Sequence, residues 1–359
     1  MMLMTETKPI LCHVNLATGF RGGERQTYLL MDRLSNQGWQ QKLIARKSGK
    51  LAELSQSVDN LTIVETSINP LQYLGHFANV DIVHMHESRA FLTLHVSGHL
   101  RQTPYVLTRR VQRSPRKNWL NQSVYSKANA VVTLSDAIGR IVNESLGIKL
   151  NYSVIPSAKT GFSFNSDEVQ SIRSRLKGDF VVGHIGTLDD SHKGQLQIIE
   201  TARRFSAAHP EICFVLVGEG RDFELFKQQT ASLDNIALVG LVDNVGDYLK
   251  AFDIFLFPSR HEGLGSILLD ALDFGLPVIA TDVGGIPEII ENDVNGFLVK
   301  PDAIDDICES ILGLYSESTL IEQIAQANTE KAKSYTVGTM ADKYVQIYQR
   351  ILTNHEQTP

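Results

Sequence analysis

Phe257-Pro258-Ser259-Arg260-His261-Glu262-Gly263-Leu264-Gly265-Ser266 leads from an apolar run, through two glycines, into a segment, 267–274, with helical apolar spacing. A strand ends near Phe257 and a helix opens near Ser266. Glycine lets the backbone approach a ligand, and the first turn of a helix carries unsatisfied amides at the positive end of its dipole. Such a turn favours a phosphate. Taken alone, the glycines are explained as well by ordinary turn chemistry. The flanking sequence decides.

Around this stretch, 180–185, 212–217, 236–239, 253–257, 277–280 and 296–299 read as strands, with a helix between 185 and 209. Upstream, 156–164 is rich in Ser, Gly and Lys and interrupts the pattern. Before it lies an equivalent series, with strands at 10–16, 42–45, 61–64, 81–85, 105–108, 130–134 and 152–155 and helices at 24–37, 88–100 and 135–146. Near-continuous apolar strands alternating with helices build parallel sheets covered on both faces. The fold class is therefore α/β, with two consecutive doubly wound units joined near 156–178. The tail, 336–352, sets Ala341, Tyr344, Val345, Ile347, Tyr348 and Ile351 at helical spacing. Ligands of open parallel sheets sit at the carboxyl ends of strands, so the loops after strands and the cleft between two such sheets are where a site is expected.

The 359 residues are 43% hydrophobic and 21% charged, which excludes a disordered chain. No apolar run approaches the roughly 18–20 residues that span a bilayer. Glu6 precedes any apolar stretch and no basic segment leads it, so no secretory signal and a cytoplasmic location are expected. Cys12, Cys213 and Cys308 have no short spacing and read as reduced thiols. Residues 1–165 hold 19 Lys and Arg against 10 Asp and Glu, while 166–359 hold 15 against 30. The first unit should face something anionic. Nucleic acid is a poor partner, because no recognition module is present and the second unit is acidic. No Gly-x-Gly-x-x-Gly with a following acidic residue marks a dinucleotide site.

The segment from Glu262, across seven residues, to Asp270 resembles the hallmark of the family-4 retaining glycosyltransferases of the GT-B fold, in which a Glu stands at both ends. Gly275-Leu276-Pro277-Val278-Ile279-Ala280-Thr281-Asp282-Val283-Gly284-Gly285-Ile286-Pro287-Glu288 and Asn295-Gly296-Phe297-Leu298-Val299 resemble that family too. The resemblance covers essentially the whole chain. It implies two Rossmann-like domains facing a central cleft: an acceptor domain, 1–160, completed by a last helix at 336–359, and a nucleotide-sugar donor domain, 161–335. It also implies that Glu262 contacts the transferred sugar, that the amides of Gly263, Leu264, Gly265 and Ser266 hold the diphosphate, and that Asp270 bonds the ribose. Asp270 is a methylene shorter than the family's Glu.

Gly183-His184-Ile185-Gly186-Thr187-Leu188-Asp189-Asp190-Ser191-His192-Lys193-Gly194 matches the family's second loop at Lys193 and Gly194, while Thr187 stands where an Arg is expected. By the resemblance Lys193 meets the leaving diphosphate and Thr187 and Gly240 line the donor. Arg21, Arg260 or His192 could supply the missing cation. Asp189, Asp190 and His192 match no usual metal-ligand spacing. Family members generally use cations and amide dipoles in place of a metal, so no cofactor and no metal are expected.

In the first unit, Thr18-Gly19-Phe20-Arg21-Gly22-Gly23-Glu24-Arg25 opens a helix after the first strand. The resemblance puts Gly22 and Gly23 beside the donor phosphates, and Glu24 reads as a dipole partner. His84 and His86 share a strand face, and His95 and His99 share a helix face, but neither pair completes a zinc set. His86, at a strand end, is an acceptor contact. Where many relatives carry a functional His, this chain reads Thr108-Arg109-Arg110-Val111-Gln112-Arg113-Ser114-Pro115-Arg116-Lys117-Asn118-Trp119, with five cations and no acid. Arg109 is assigned to the reacting centre and Arg110 to the acceptor. The stretch 109–119 fits either a solvated loop or a contact with an anionic membrane surface.

The expected activity is retaining, metal-independent transfer of a sugar from a nucleoside-diphosphate sugar to a glycan or glycolipid acceptor of envelope polysaccharide or lipopolysaccharide type. The protein would be cytoplasmic, peripheral on the inner face of the plasma membrane. A nucleotide-sugar 2-epimerase and a weakly active sugar-nucleotide-binding partner protein are the alternatives.

Overall fold

The computed structural model describes residues 8–92 and 103–356. The chain divides into two compact units, Met1–Ala158 with Val337–Pro359, and Lys159–Thr336. The first holds β1 (Ile10–Asn15), β2 (Gln40–Arg46), β3 (Leu61–Thr66), β4 (Ile82–Met85), β5 (Tyr105–Arg109), β6 (Ala130–Thr133) and β7 (Tyr152–Val154). All pair in parallel, in the order β3-β2-β1-β4-β5-β6-β7. Parallel pairing needs a crossover between successive strands, which is what the alternating helices provide.

The helix Gly22–Asn36 lays Leu30 and Leu34 on this sheet, against Leu11, Ile82, Val106 and Val132. The last helix, Val337–Glu356, packs into the same cluster through Met340, Ala341, Tyr344, Ile347, Tyr348 and Ile351. Its helical spacing thus becomes a buried stripe, and the end of the chain completes the first unit.

The second unit holds β8 (Phe180–Ile185), β9 (Ile212–Val217), β10 (Ile236–Gly240), β11 (Ile254–Phe257), β12 (Val278–Thr281) and β13 (Gly296–Val299). The order is β10-β9-β8-β11-β12-β13, again all parallel. Val182, Phe214, Leu216, Ile254, Leu256 and Ile279 form its core with Ile198, Ala202 and Phe205 of the helix Gln195–Ala208.

Each sheet reverses its strand order once. The first does so between β1 and β4, the second between β8 and β11. At such a switch point the two adjoining connections leave in opposite directions and open a crevice at the carboxyl edge. The connections after β1, β4, β8 and β11 carry Gly22 and Gly23, His86, Lys193 and Glu262 respectively, while the cationic stretch 109–119 begins at the end of β5.

The segment 88–100 is expected to be a helix; its described part, Ser88–Leu92, is a 3-10 turn, and 93–100 lie outside the described residues. Glu87 directs that turn, its carboxylate accepting from the amides of Arg89 at 3.0 Å and Leu16 at 3.2 Å. His95 and His99 lie outside the described residues. Among the described residues, no helix is long and apolar enough to cross a membrane.

Candidate active site

In the second unit the loops after β8 and β11 are stitched together. The carbonyl of His192 accepts from the amides of Arg260 at 2.8 Å and His261 at 3.2 Å. Gly194 makes this possible: it has φ +66, and a Cβ there would stand 2.2 Å from the Pro258 carbonyl oxygen. Only glycine fits both demands. The stitching carries Lys193 to Glu262, whose Oε2 accepts from the lysine Nζ. Both side chains are mostly buried, at 22% and 15% exposure. The ammonium also lies 4.9 Å from the Phe257 ring centroid. Glu262 Oε1 accepts from the amide of Gly263 at 3.1 Å.

Gly265, at φ +80, caps the helix Ser266–Asp273. The first amides of that helix follow closely after Glu262 in sequence, and Leu264 between them is buried. Thr187 gives its carbonyl to Gln195 Nε2 at 2.8 Å. Gly240 ends β10 at φ +87, its carbonyl accepting from Gly218 at 2.8 Å. Beneath the site His184 is fully buried, and its Nδ1 donates to the Leu256 carbonyl at 2.9 Å. Burial pushes its pKa down to about 4, so it is neutral.

Asp270 is engaged from within the unit. Its Oδ1 accepts from the Thr160 amide at 2.5 Å and its Oδ2 lies 3.2 Å from the Thr160 hydroxyl. The carboxylate therefore braces the chain that follows the unit boundary. Arg260, a candidate for the missing cation, spends its guanidinium on Asp190 and on Asp302, each at 2.7 Å. Asp190 is thus an ion-pair partner, and Asp189 pairs with Arg221 at 2.7 Å. His192 stays exposed beside Asp189, 3.4 Å away.

In the first unit the structure separates two neighbouring arginines. Arg109 turns back on its own loop, donating to the carbonyl of Val111 at 3.2 Å and to that of Arg113. Its guanidinium staples the loop. Arg110 instead meets the other candidates: Nη2 lies 3.5 Å from His86 Nδ1, and Cδ lies 3.4 Å from the Cβ position of Gly23. Its Nε is buried with no hydrogen-bond partner among the described residues. Burial lowers the Arg110 pKa, with Tyr344, Glu24 and Tyr348 opposing that shift.

Glu24 closes the first turn of the helix Gly22–Asn36 by accepting from the Arg21 amide at 3.0 Å. Arg21 thus marks the cap of that helix. Residues 111–118 run over the surface to the helix Trp119–Ser126, with Val111 and Trp119 exposed at 53% and 74%.

His84 and His86 are joined by a third histidine that sequence reading missed. His13, on β1, lies within a group of three buried rings whose ligand nitrogens fall within 4.8 Å of one another. The register His13↔His84 puts the strands side by side, so strand pairing was the missing signal. Every ring nitrogen in the group has a protein neighbour: Gln41, Thr108, Tyr348, Arg110 or a sister histidine.

Both units match known families. Residues 20–158 match Glycosyltransferase Family 4, and residues 179–317 match Glycosyl transferases group 1. The chain belongs to the family-4 glycosyltransferases. The family-4 chain is 24% identical to the UDP-Gal:alpha-D-GlcNAc-diphosphoundecaprenol alpha-1,3-galactosyltransferase of Escherichia coli, over 98% of this chain and 100% of that protein. It is 23% identical to the alpha-D-kanosaminyltransferase of Streptomyces kanamyceticus, over 72% and 69% of the two chains. Among solved structures, Anabaena HepE in complex with UDP superposes with a TM-score of 0.82 at 18% identity, covering 95% of this chain and all of that one. A glycosyltransferase from Rickettsia africae gives a TM-score of 0.83 at 20% identity, covering 97% and 100%. The fold is GT-B, and the protein is a glycosyltransferase. The nucleotide-sugar 2-epimerase and the weakly active sugar-nucleotide-binding partner readings are not favoured.

Proposed function

We propose that this glycosyltransferase moves a sugar from a nucleoside-diphosphate sugar, with retention of anomeric configuration and without a metal, to a saccharide or lipid-linked acceptor of envelope glycan synthesis. The observation that carries the donor half is the Lys193–Glu262 pair at the switch point between β8 and β11, beside the opening of the helix Ser266–Asp273. A mostly buried ammonium held by one carboxylate is a strong diphosphate ligand once phosphate oxygens replace that carboxylate. Displaced from the lysine, Glu262 is left to accept hydroxyl hydrogens of the sugar. The amides of Gly263, Gly265 and Ser266 complete the anion site, with Thr187 and Gly240 along the donor.

As the bond between the anomeric carbon and the phosphate oxygen breaks, negative charge builds on the diphosphate, where Lys193 and the amides stabilise it. The acceptor hydroxyl oxygen bonds to the anomeric carbon on the same face and passes its proton to the departing phosphate oxygen. No separate base is needed.

The acceptor half rests on the first unit, where His86, Arg110, Gly22 and Gly23 gather at the carboxyl ends of β1, β4 and β5. Arg110 is the cation of this group, in place of Arg109. The relatives support the substrate classes, one being named for a diphosphoundecaprenol acceptor and UDP-Gal. The cationic stretch 109–119, with Val111 and Trp119 exposed, supports docking on an anionic membrane surface from the cytoplasmic side. Lys193→Ala and Glu262→Ala should each abolish transfer with the fold intact by circular dichroism. Wild-type turnover in either variant refutes the assignment.

A further inference from the structure

The polar group beneath Arg110 forms a chain whose direction is fixed at both ends. A guanidinium only donates, so His86 Nδ1, 3.5 Å from Arg110 Nη2, must present its lone pair. At the far end Gln41 lies between Met31 and His13. The Met31 carbonyl only accepts, at 2.9 Å from Gln41 Nε2, which turns Oε1 toward His13 Nε2 at 3.0 Å. That oxygen only accepts, so His13 carries its proton on Nε2 and leaves Nδ1 bare. His13 Nδ1 is 2.9 Å from His86 Nε2, which therefore donates. Both ends demand the same tautomer of both rings.

The sequence places these groups by strand register. Leu11 pairs with Gln41 and His13 with His84, so residues 11, 13 and 41 share a sheet face. Gln41, His13 and His86 are all at least 97% buried, where an imidazolium would be costly. Burial accordingly lowers the pKa of His13 to about 4 and that of His86 well below its ordinary value. His84 takes no part: its two nitrogens face Thr108 Oγ1 and the Tyr348 hydroxyl, each at 2.7 Å.

We infer that Gln41 and His13 are positioning residues for Arg110: the one-way chain Arg110→His86→His13→Gln41→Met31 fixes the His86 lone pair toward the guanidinium and holds that group beside Gly23. The inference rests on the reading of Arg110 as an acceptor contact. If the chain were reversed, His86 would point an N–H at the guanidinium, and the arginine would lose its side-chain hydrogen bond to His86 and turn from the glycine loop. The chain also accounts for a buried Gln on a strand, where an apolar residue would otherwise be expected.

The test reads tautomers and kinetics separately. Nitrogen-15 NMR of histidine-labelled full-length protein at neutral pH should show His13 and His86 as neutral rings protonated on Nε2; protonation of His86 on Nδ1 overturns the inference without any variant. Gln41→Met, similar in shape but without the amide, should raise the acceptor KM about tenfold, the size of one charge-assisted hydrogen bond, with donor KM little changed and the melting temperature lowered, because His13 Nε2–H and the Met31 carbonyl lose their partner. Arg110→Ala should raise the same constant at least as much. An unchanged acceptor KM in Arg110→Ala overturns the reading of Arg110 itself. A raised KM in Arg110→Ala with an unchanged one in Gln41→Met overturns the relay alone.

Discussion

The hydroxyl of Tyr348 lies 2.7 Å from His84 Nδ1, so the last helix is tied to the middle of the first unit's sheet by a buried polar bond as well as by apolar packing. Tyr344 makes a parallel tie, its hydroxyl 3.0 Å from Thr108 Oγ1. Tyr348→Phe removes one partner and leaves a His84 nitrogen unsatisfied in the core. The expected cost is about 1–3 kcal/mol, measured by urea unfolding. A variant as stable as the wild type would show that the bond is replaced or unimportant.

Acid should destabilise both units through buried imidazoles. His13 and His184 each have a folded pKa of about 4 against an ordinary 6.5. A lowered histidine pKa means the unfolded chain binds more protons, so the contribution is whole above the unfolded value and is lost as pH falls from 6.5 toward 4. The loss should be of order 3 kcal/mol for each ring by the lower pH. Stability curves at several pH values check this, and a flat profile across that window contradicts it.

Asp270 should act first on stability. Because its carboxylate holds the Thr160 amide and hydroxyl, Asp270→Ala is expected to cost about 1–3 kcal/mol. A variant with unchanged melting but weakened donor binding would assign the carboxylate to the ribose instead.

Reducing the charge of 109–119 should reduce membrane affinity. Replacing Arg113, Arg116 and Lys117 with Ser removes three cations, each worth about 1 kcal/mol at an anionic surface. Sedimentation with phosphatidylserine vesicles should show weaker, less salt-sensitive binding. Equal partitioning of variant and wild type would mark the stretch as a solvated loop.

Much of the fold was legible because strand and helix periods differ so clearly. Residues 180–185, 212–217 and 296–299 were read as strands and form β8, β9 and β13 with those bounds. The glycine turn at Gly263 and Gly265 announced a helix start, and the helix Ser266–Asp273 begins there. What stayed hidden depends on partners far apart in the chain. Nothing local distinguishes Arg109 from Arg110; the first is claimed by carbonyls of its own loop, the second by a ring from β4's end. His13 and Gln41 carried no motif, and only the pairing of β1 with β2 and β4 assembles them. Likewise Asp270 meets Thr160 across 110 residues, a contact that spacing cannot reveal.

The donor site is tested most directly by titrating UDP into the wild type and into Lys193→Met by calorimetry. If the ammonium held by Glu262 is the principal diphosphate ligand, the wild type binds UDP and the variant binds at least about tenfold more weakly, the loss of one strong charge-assisted contact. Equal affinities for the two proteins would contradict the account.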